Sequence, residues 1–390
     1  MRNDFYSNDT LTLATADHKE VERLNDLLEE NDLGRPLGQP IEAPHPRLIV
    51  PVTTAGVTAS QVQAKLEELG SAGEVRLDPT MVAGTRFLNP PGEHFLDPAG
   101  RDIPHGFLYS LHPTAAQKPL PWEPVPGALR RPVVALLDSG VQPHPWFPAH
   151  DPDDPFLLDA GELPDPWLSP LEELGRVARS HGRDIPHGRD IPHGRDIPHG
   201  PGGADFGEDL GHDDAESGHA TFIAGIIRAA APSARILSIK VMSPDGKVNE
   251  STVTSALHWL VRHVDANNPL DVICMAFGRE PGDHSDQQAL TDMRGPLQLL
   301  ADRGVALVAS AGNDHVGEEI FPAAFPMVTA VGTGFGRYHA AFSNYGDWVD
   351  RYRDGVEMVS TLPPDQWAHW SGTSFSAAAY AGDLARPHVV

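Results

Sequence analysis

Apolar residues recur every three or four positions between Ala16 and Glu30, with Val21, Leu24, Leu27 and Leu28 on one face. That spacing predicts a helix. The run Arg47-Leu48-Ile49-Val50-Pro51-Val52 predicts a strand. Val62, Leu66 and Leu69 predict a second helix over Ala59–Leu69, and Glu74–Leu77 a second strand. The β-α-β order suggests a small α+β domain over 46–112. A polar segment, 1–45, precedes it and carries the first helix. Short strands are expected at 85–88 and 107–109. The prolines Pro113, Pro119, Pro121, Pro124, Pro126 and Pro132 then give 113–131 the composition of a linker.

From Val133 the pattern changes. Val133–Leu137 is a continuous apolar run, as in a buried strand of a parallel sheet. It ends in Asp138-Ser139-Gly140, an acid followed by a turn. Gly218–Ile227 predicts a buried helix starting at or near His219. Arg235–Val241 predicts a strand, and Ser251–Val264 an amphipathic helix with Val253, Leu257, Leu260 and Val261 inward. Val272–Gly278 reads as a strand, Asp286–Asp302 as a helix, and Val305–Asp314 as a strand ending in a glycine turn. Met327–Gly332 is one more strand. Last, a run of small residues with Gly372-Thr373-Ser374 at its head becomes helix-forming. Alternating strands and helices predict an α/β fold, a three-layer parallel sheet with helices on both faces, over 132–390.

Residues from about 150 to 210 interrupt this alternation. The hexapeptide Arg-Asp-Ile-Pro-His-Gly stands in tandem at 183–188, 189–194 and 195–200, and once more at 101–106. Tandem identity reads as expansion within a surface loop. Metal binding by His187, His193 and His199 is the sharper alternative. Six-residue spacing through prolines sets successive imidazoles far apart on an extended chain, so no metal site and no cofactor is assigned.

Charge narrows the partners. The 390 residues carry 29 basic and 54 acidic side chains, a formal net charge of −25. This disfavours nucleic acid and anionic membrane as partners and suits cationic peptides. Cys274 is the one cysteine, so an intramolecular disulfide is excluded, which fits a reducing compartment. The stretch Met1–Asp9 has no apolar signal core, and the expected location is the cytoplasm.

Candidate chemistry lies at the element ends. Asp138 closes a strand at the edge where α/β sheets bind ligands. His219 opens a helix. Ser374 sits at a helix N-terminus, where unpaired N–H groups favour negative charge near its oxygen. Asn313 offers an amide beside a glycine turn. Taken singly, each has a structural explanation: a cap, a core histidine or an N-cap serine.

Taken together, Asp138-Ser139-Gly140, Gly218–Gly225, Ala309–Asn313 and Ser371–Ala377 resemble the motif blocks of the subtilisin-like serine proteases, in that family's order of acid, histidine and serine. Phe321–Val328 and Ala341–Gly346 resemble two further blocks, and the resemblance covers about 131–386. It implies a serine endopeptidase working through an acyl-enzyme, with Ser374 as nucleophile, His219 as base and Asp138 orienting the imidazole. It implies Asn313 and the Ser374 N–H as oxyanion donors, and Ala276, Phe277 and Gly278 as substrate-binding residues facing a second wall near Lys247-Val248-Asn249. An extended peptide or protein substrate would add itself as a strand between them.

The chain departs from the family pattern at Ala220, Phe222 and Ala378, none of them a reacting group, and by the 16 residues after Ser374. Asp213, Asp214, Glu216 and Asp314 near the expected cleft suit basic substrate side chains, or merely reflect an acidic protein. The resemblance also implies that 47–112 is pro-domain-like and inhibits the cleft; a recognition domain is the alternative. Arg130-Arg131 reads as a processing site, with Pro132 opposing cleavage after Arg131. The competing functional reading is a catalytically silent subtilase fold that acts by binding.

Overall fold

The computed structural model describes residues 6–42, 47–71, 75–83, 95–96, 102–103, 112–114, 130–147, 157–159, 218–242, 246–281, 287–335 and 338–386. The expected strands at 85–88 and 107–109, and the hexapeptide repeats at 183–200, lie outside these residues.

The N-terminal unit runs β1 (Tyr6–Leu13), α1 (Lys19–Glu29), β2 (Ile41–Glu42), β3 (Leu48–Pro51), α2 (Ala59–Glu68) and β4 (Val75–Ala83). Its helices begin where local chemistry stops the chain. Asp17 Oδ1 accepts from Lys19 N at 3.0 Å ahead of α1. Thr58 and Gln61 form a reciprocal capping box on α2. Strand β1 pairs antiparallel with both β3 and β4. The division expected at residue 45 is therefore corrected: the polar first segment supplies a central strand of the same sheet. Leu11 and Leu13 of β1 turn into the core, too short an alternation to stand out among Asn, Asp and Thr.

Two short strands, β5 (Phe95–Leu96) and β6 (Asp102–Ile103), pair with each other. β7 (His112–Thr114) adds antiparallel to a strand late in the chain, so the first linker residues belong to a sheet.

The C-terminal part runs β8 (Val133–Asp138), β9 (Leu157–Asp159), α3 (His219–Ala230), β10 (Arg235–Lys240), β11 (Lys247–Asn249), α4 (Glu250–Asp265), β12 (Val272–Met275), β13 (Phe277–Gly278), α5 (Gln287–Asp302), β14 (Ala306–Ser310), β15 (Thr329–Phe335), β16 (Tyr338–His339), β17 (Arg351–Arg353), β18 (Met358–Leu362), β19 (Gln366–Trp370) and α6 (Thr373–Leu384). The main sheet has the order β16-β15-β14-β12-β8-β10-β9, with β17 also on β15. All its pairings are parallel except β15 with β16.

Strand β8 shows how one run serves two layers. Val133, Ala135 and Leu137 enter the core under α4 and α5; Val134 and Leu136 enter the core under α3 and α6. Helix α3 lies against β18 so closely that a Cβ on Gly225 would stand 2.3 Å from Ser360 Oγ. Ser360 and Thr361 hydroxyls donate to the α3 carbonyls of Phe222 and Thr221 at 2.6 and 2.7 Å.

The entry to β8 is pinned. Arg130 forks onto Asp271 at 2.6 and 2.8 Å, and Arg131 donates to the carbonyls of Ser233 and Ala234 at 2.8 and 3.0 Å. Both arginines that read as a processing site are structural anchors. Among the described residues no helix is long and apolar enough to cross a membrane.

Candidate active site

Asp138 ends β8 at the C-terminal edge of the sheet, and His219 is the first residue of α3. The Asp138 carboxylate meets His219 Nδ1 with both oxygens, at 2.9 and 3.0 Å, and accepts from Ser139 N at 2.7 Å. Ser139 Oγ in turn accepts from Ala220 N at 3.3 Å, which fixes the start of α3 to the β8 turn. With Nδ1 donating to the carboxylate, Nε2 is left as the basic nitrogen. The imidazole packs edge-on to Trp370 and tilted on Phe375, 5.8 and 5.7 Å between centroids. Asp138 and His219 are fully buried. Cys274 is buried too, and desolvation together with the Asp138 charge pushes its thiol up, which keeps it from acting as a thiolate.

Ser374 is the second residue of α6, where backbone N–H groups lack helical partners. It too is fully buried, and its Oγ donates to Ala276 O at 3.3 Å. Asn313 follows Gly312, whose φ of +97° turns the chain at the end of β14. Thr373 N donates to Asn313 Oδ1 at 2.9 Å, and Thr373 Oγ1 accepts from Gly312 N at 3.1 Å. The first bond fixes which end of the amide is oxygen. Asn313 Nδ2 is thus aimed away from Thr373, buried and without a hydrogen-bond partner among the described residues. A buried donor left open is costly, and is expected where a ligand oxygen is to be received.

Ala276, Phe277 and Gly278 carry the chain away from β12. Phe277 and Gly278 pair antiparallel with Ala83 and Val82 of β4. Lys247, Val248 and Asn249 pair antiparallel with Val82, Met81 and Thr80. The end of β4 therefore lies between β11 and β13, the two segments expected to form the walls. Met81 is fully buried in the peptidase core with Val253 and Phe277.

Two features escaped sequence reasoning. Glu250 follows β11 directly and Arg279 follows β13 directly. They form a buried ion pair, with Oε2 at 2.8 and 2.7 Å from Nε and Nη2, that cross-links the walls. Asp78 of β4 is buried and accepts from Ser251 N at 3.1 Å and from Ser251 Oγ, at the N-terminus of α4. Burial, with the Glu250 charge adding to it, pushes the Asp78 carboxyl up to about 7 against the two Ser251 hydrogen bonds. An acidic residue just ahead of a helix-starting Ser is the signal for a cap only when both lie in one segment. Here they are 173 residues apart. Asp314 is exposed on the Asn313 turn; Asp213, Asp214 and Glu216 lie outside the described residues.

Comparison with known proteins gives the following. Residues 130–387 match the model of the subtilase family. Over 196 residues the chain is 32% identical to Subtilisin Savinase of Lederbergia lenta, covering 47% of this chain and 68% of that protein. It is 32% identical over 196 residues to an alkaline protease of Shouchella clausii, covering 47% of this chain and 48% of that one. The chain thus spans about half the length of some curated relatives and two thirds of others. It is also similar to the solved structure of the prenylagaramide maturation protease PagA, 22% identical with a TM-score of 0.43, covering 64% of this chain and 73% of that one.

Proposed function

Given that this chain belongs to the subtilase family of serine endopeptidases, we propose that it hydrolyses peptide bonds through an acyl-enzyme on Ser374, with Asp138 and His219 completing the triad. The observation that carries the reading is the buried Asp138–His219 pair set against the helix that bears Ser374.

The Ser374 hydroxyl turns from Ala276 O toward His219 Nε2. As Oγ attacks the scissile carbonyl, Nε2 takes its proton, and the imidazolium is stabilised by Asp138. The carbonyl oxygen becomes an oxyanion, met by Asn313 Nδ2 and the Ser374 N–H. Collapse of the adduct breaks the C–N bond, and His219 returns the proton to the leaving amine. Water, deprotonated by His219, then attacks the acyl-enzyme and releases Ser374.

The substrate is an extended peptide that adds between β11 and β13, with Ala276, Phe277 and Gly278 as one wall. In the uncut chain β4 holds that place, so the N-terminal unit inhibits the peptidase from within the same molecule. The full burial of Ser374 supports this. A cytoplasmic workplace is the finer part of the proposal and rests on the single cysteine.

The test is covalent labelling. Full-length protein is exposed to a fluorophosphonate beside the Ser374→Ala variant, each before and after a protease cut placed between Ala83 and Arg130. Labelling of the wild type alone, faster after the cut, is expected. A folded wild type that stays unlabelled before and after cutting would overturn the peptidase reading in favour of a silent binding fold.

A further inference from the structure

We infer that Asn344 is the positioning residue for the Asn313 amide, so that oxyanion stabilisation in this chain depends on an asparagine that never touches substrate. The inference rests on the role proposed above for Asn313.

Asn344 lies in the stretch Ala341–Gly346, between β16 and β17, and has no exposed surface. Its side chain spends all its reach on the turn that carries Asn313. Oδ1 accepts from Asp314 N at 3.0 Å and from Val316 N at 3.1 Å. Nδ2 donates to Ala311 O at 2.9 Å. The Asn344 main-chain N–H donates to Gly312 O at 3.0 Å. Bonds therefore fall on both sides of Asn313, to 311 and 312 before it and to 314 and 316 after it. Two main-chain bonds flank the clamp: His315 N to Phe342 O and Tyr345 N to Val316 O, each 3.0 Å.

The turn needs such a clamp. Gly312 has a positive φ that L side chains rarely adopt, and a Cβ there would stand 2.5 Å from Asn344 Nδ2. Glycine gives the turn its shape but also its freedom, and the Asn344 amide packed against it takes that freedom away. Asn313 itself is fixed at its side chain through Oδ1 on Thr373 N. The direction of Nδ2 is then set by where the backbone of 312–314 stands.

Only an amide serves all these bonds. Two N–H groups need an acceptor and one carbonyl needs a donor, in one short planar group. A carboxylate would keep the first two and face Ala311 O without a proton; a serine is too short to bridge the turn. Donors to an oxyanion act because they are already aimed when charge appears. A misplacement of about 1 Å can cost about 10²-fold.

The experiment is a double-mutant cycle in full-length protein cut between Ala83 and Arg130 so that β4 is released, reading kcat and KM on a peptide p-nitroanilide that the cut wild type turns over. Asn313→Ala is expected to lower kcat by about 10²–10³. Asn344→Ala is expected to lower kcat by about 10–10² with KM within about twofold. The double variant is expected to match Asn313→Ala alone, because a clamp has nothing left to aim. If the alanine variant does not fold, Asn344→Asp keeps the Asp314 and Val316 contacts, and the same non-additivity is expected. Multiplied losses in the double variant, or a kcat for folded Asn344→Ala within twofold of wild type, would overturn the inference while leaving Asn313 in its role. An Asn313→Ala variant with unchanged kcat would overturn both.

Discussion

Strands β8 and β4 invite comparison. β8 lies in the middle of the parallel sheet, buried on both faces, and its last residue is Asp138. β4 pairs with β1 of the N-terminal sheet at one end and with β11 and β13 at the other, and its last described residue is Ala83. β8 is held by two apolar layers and ends in a side chain with a task. β4 is held largely through its backbone, by pairing with β1, β11 and β13, with two side chains reaching across: Met81 into the peptidase core and Asp78 onto α4. One strand supplies identity, the other shape. Identity is demanded by chemistry and cannot drift; a backbone contact accepts many sequences.

The comparison breaks hardest at the link between the walls. Arg279→Leu leaves the Glu250 carboxylate buried beside an apolar side chain, and is expected to cost the peptidase about 3–5 kcal/mol in urea unfolding. Activity should fall with stability, because the cleft loses its cross-link. Met81→Asp acts in the opposite direction on function. A charge between the walls unseats β4, and the fluorophosphonate rate of the uncut chain should rise at least about tenfold. A rate equal to wild type would mean that β4 does not guard the cleft.

Asp78 sharpens the contrast through pH. Docked, its carboxyl titrates near 7, against 3.8 as the ordinary value. The docked state therefore holds the proton more tightly. Docking is strongest below about pH 4, weakens as pH rises to about 7, and levels off above. Glu250 and Arg279 face the same group. Hydrogen exchange of β4, corrected for the intrinsic rate and followed in Ser374→Ala protein, should show protection falling over that window. Asp78→Asn should flatten the profile; an unchanged slope would exclude Asp78 as its source. The smallest effect is expected at Arg47, whose Nε meets Asp292 at 2.9 Å near the surface. Arg47→Ala should loosen the N-terminal unit by about 1 kcal/mol or less, read as a small shift in the same exchange experiment.

These differences also explain what the sequence revealed. Strands β8, β10, β12, β14 and β15 and helices α3 to α6 were legible because each is an apolar run or a recognisable helical stretch, ended by glycine or a polar turn. Asp138, His219, Asn313 and Ser374 were legible because each stands at an element end, in one order. The structure brings Asp138 to His219 and Asn313 to the residue before Ser374. Strand β1 was hidden by its polar alternation, and β18 and β19 by the polar residues that interrupt them: Ser360 and Thr361 in one, Gln366 and His369 in the other. The Glu250–Arg279 and Asp78–Ser251 contacts join residues far apart in sequence, and no local pattern marks either. Asn344 sat in a recognisable block, yet its work lies in where its amide points, which only the folded turn reveals.

Strand β4 and the cleft that holds it are parts of one chain. Its grip is therefore governed by an effective concentration set by the joining chain, and not by how much protein is present. A single backbone cut between Ala83 and Arg130 turns the same contacts into an equilibrium between two molecules. Dilution then works against rebinding, while crowding and high expression work for it. On the inhibition proposed above, identical hydrogen bonds act as a lock before the cut and as a concentration gauge after it.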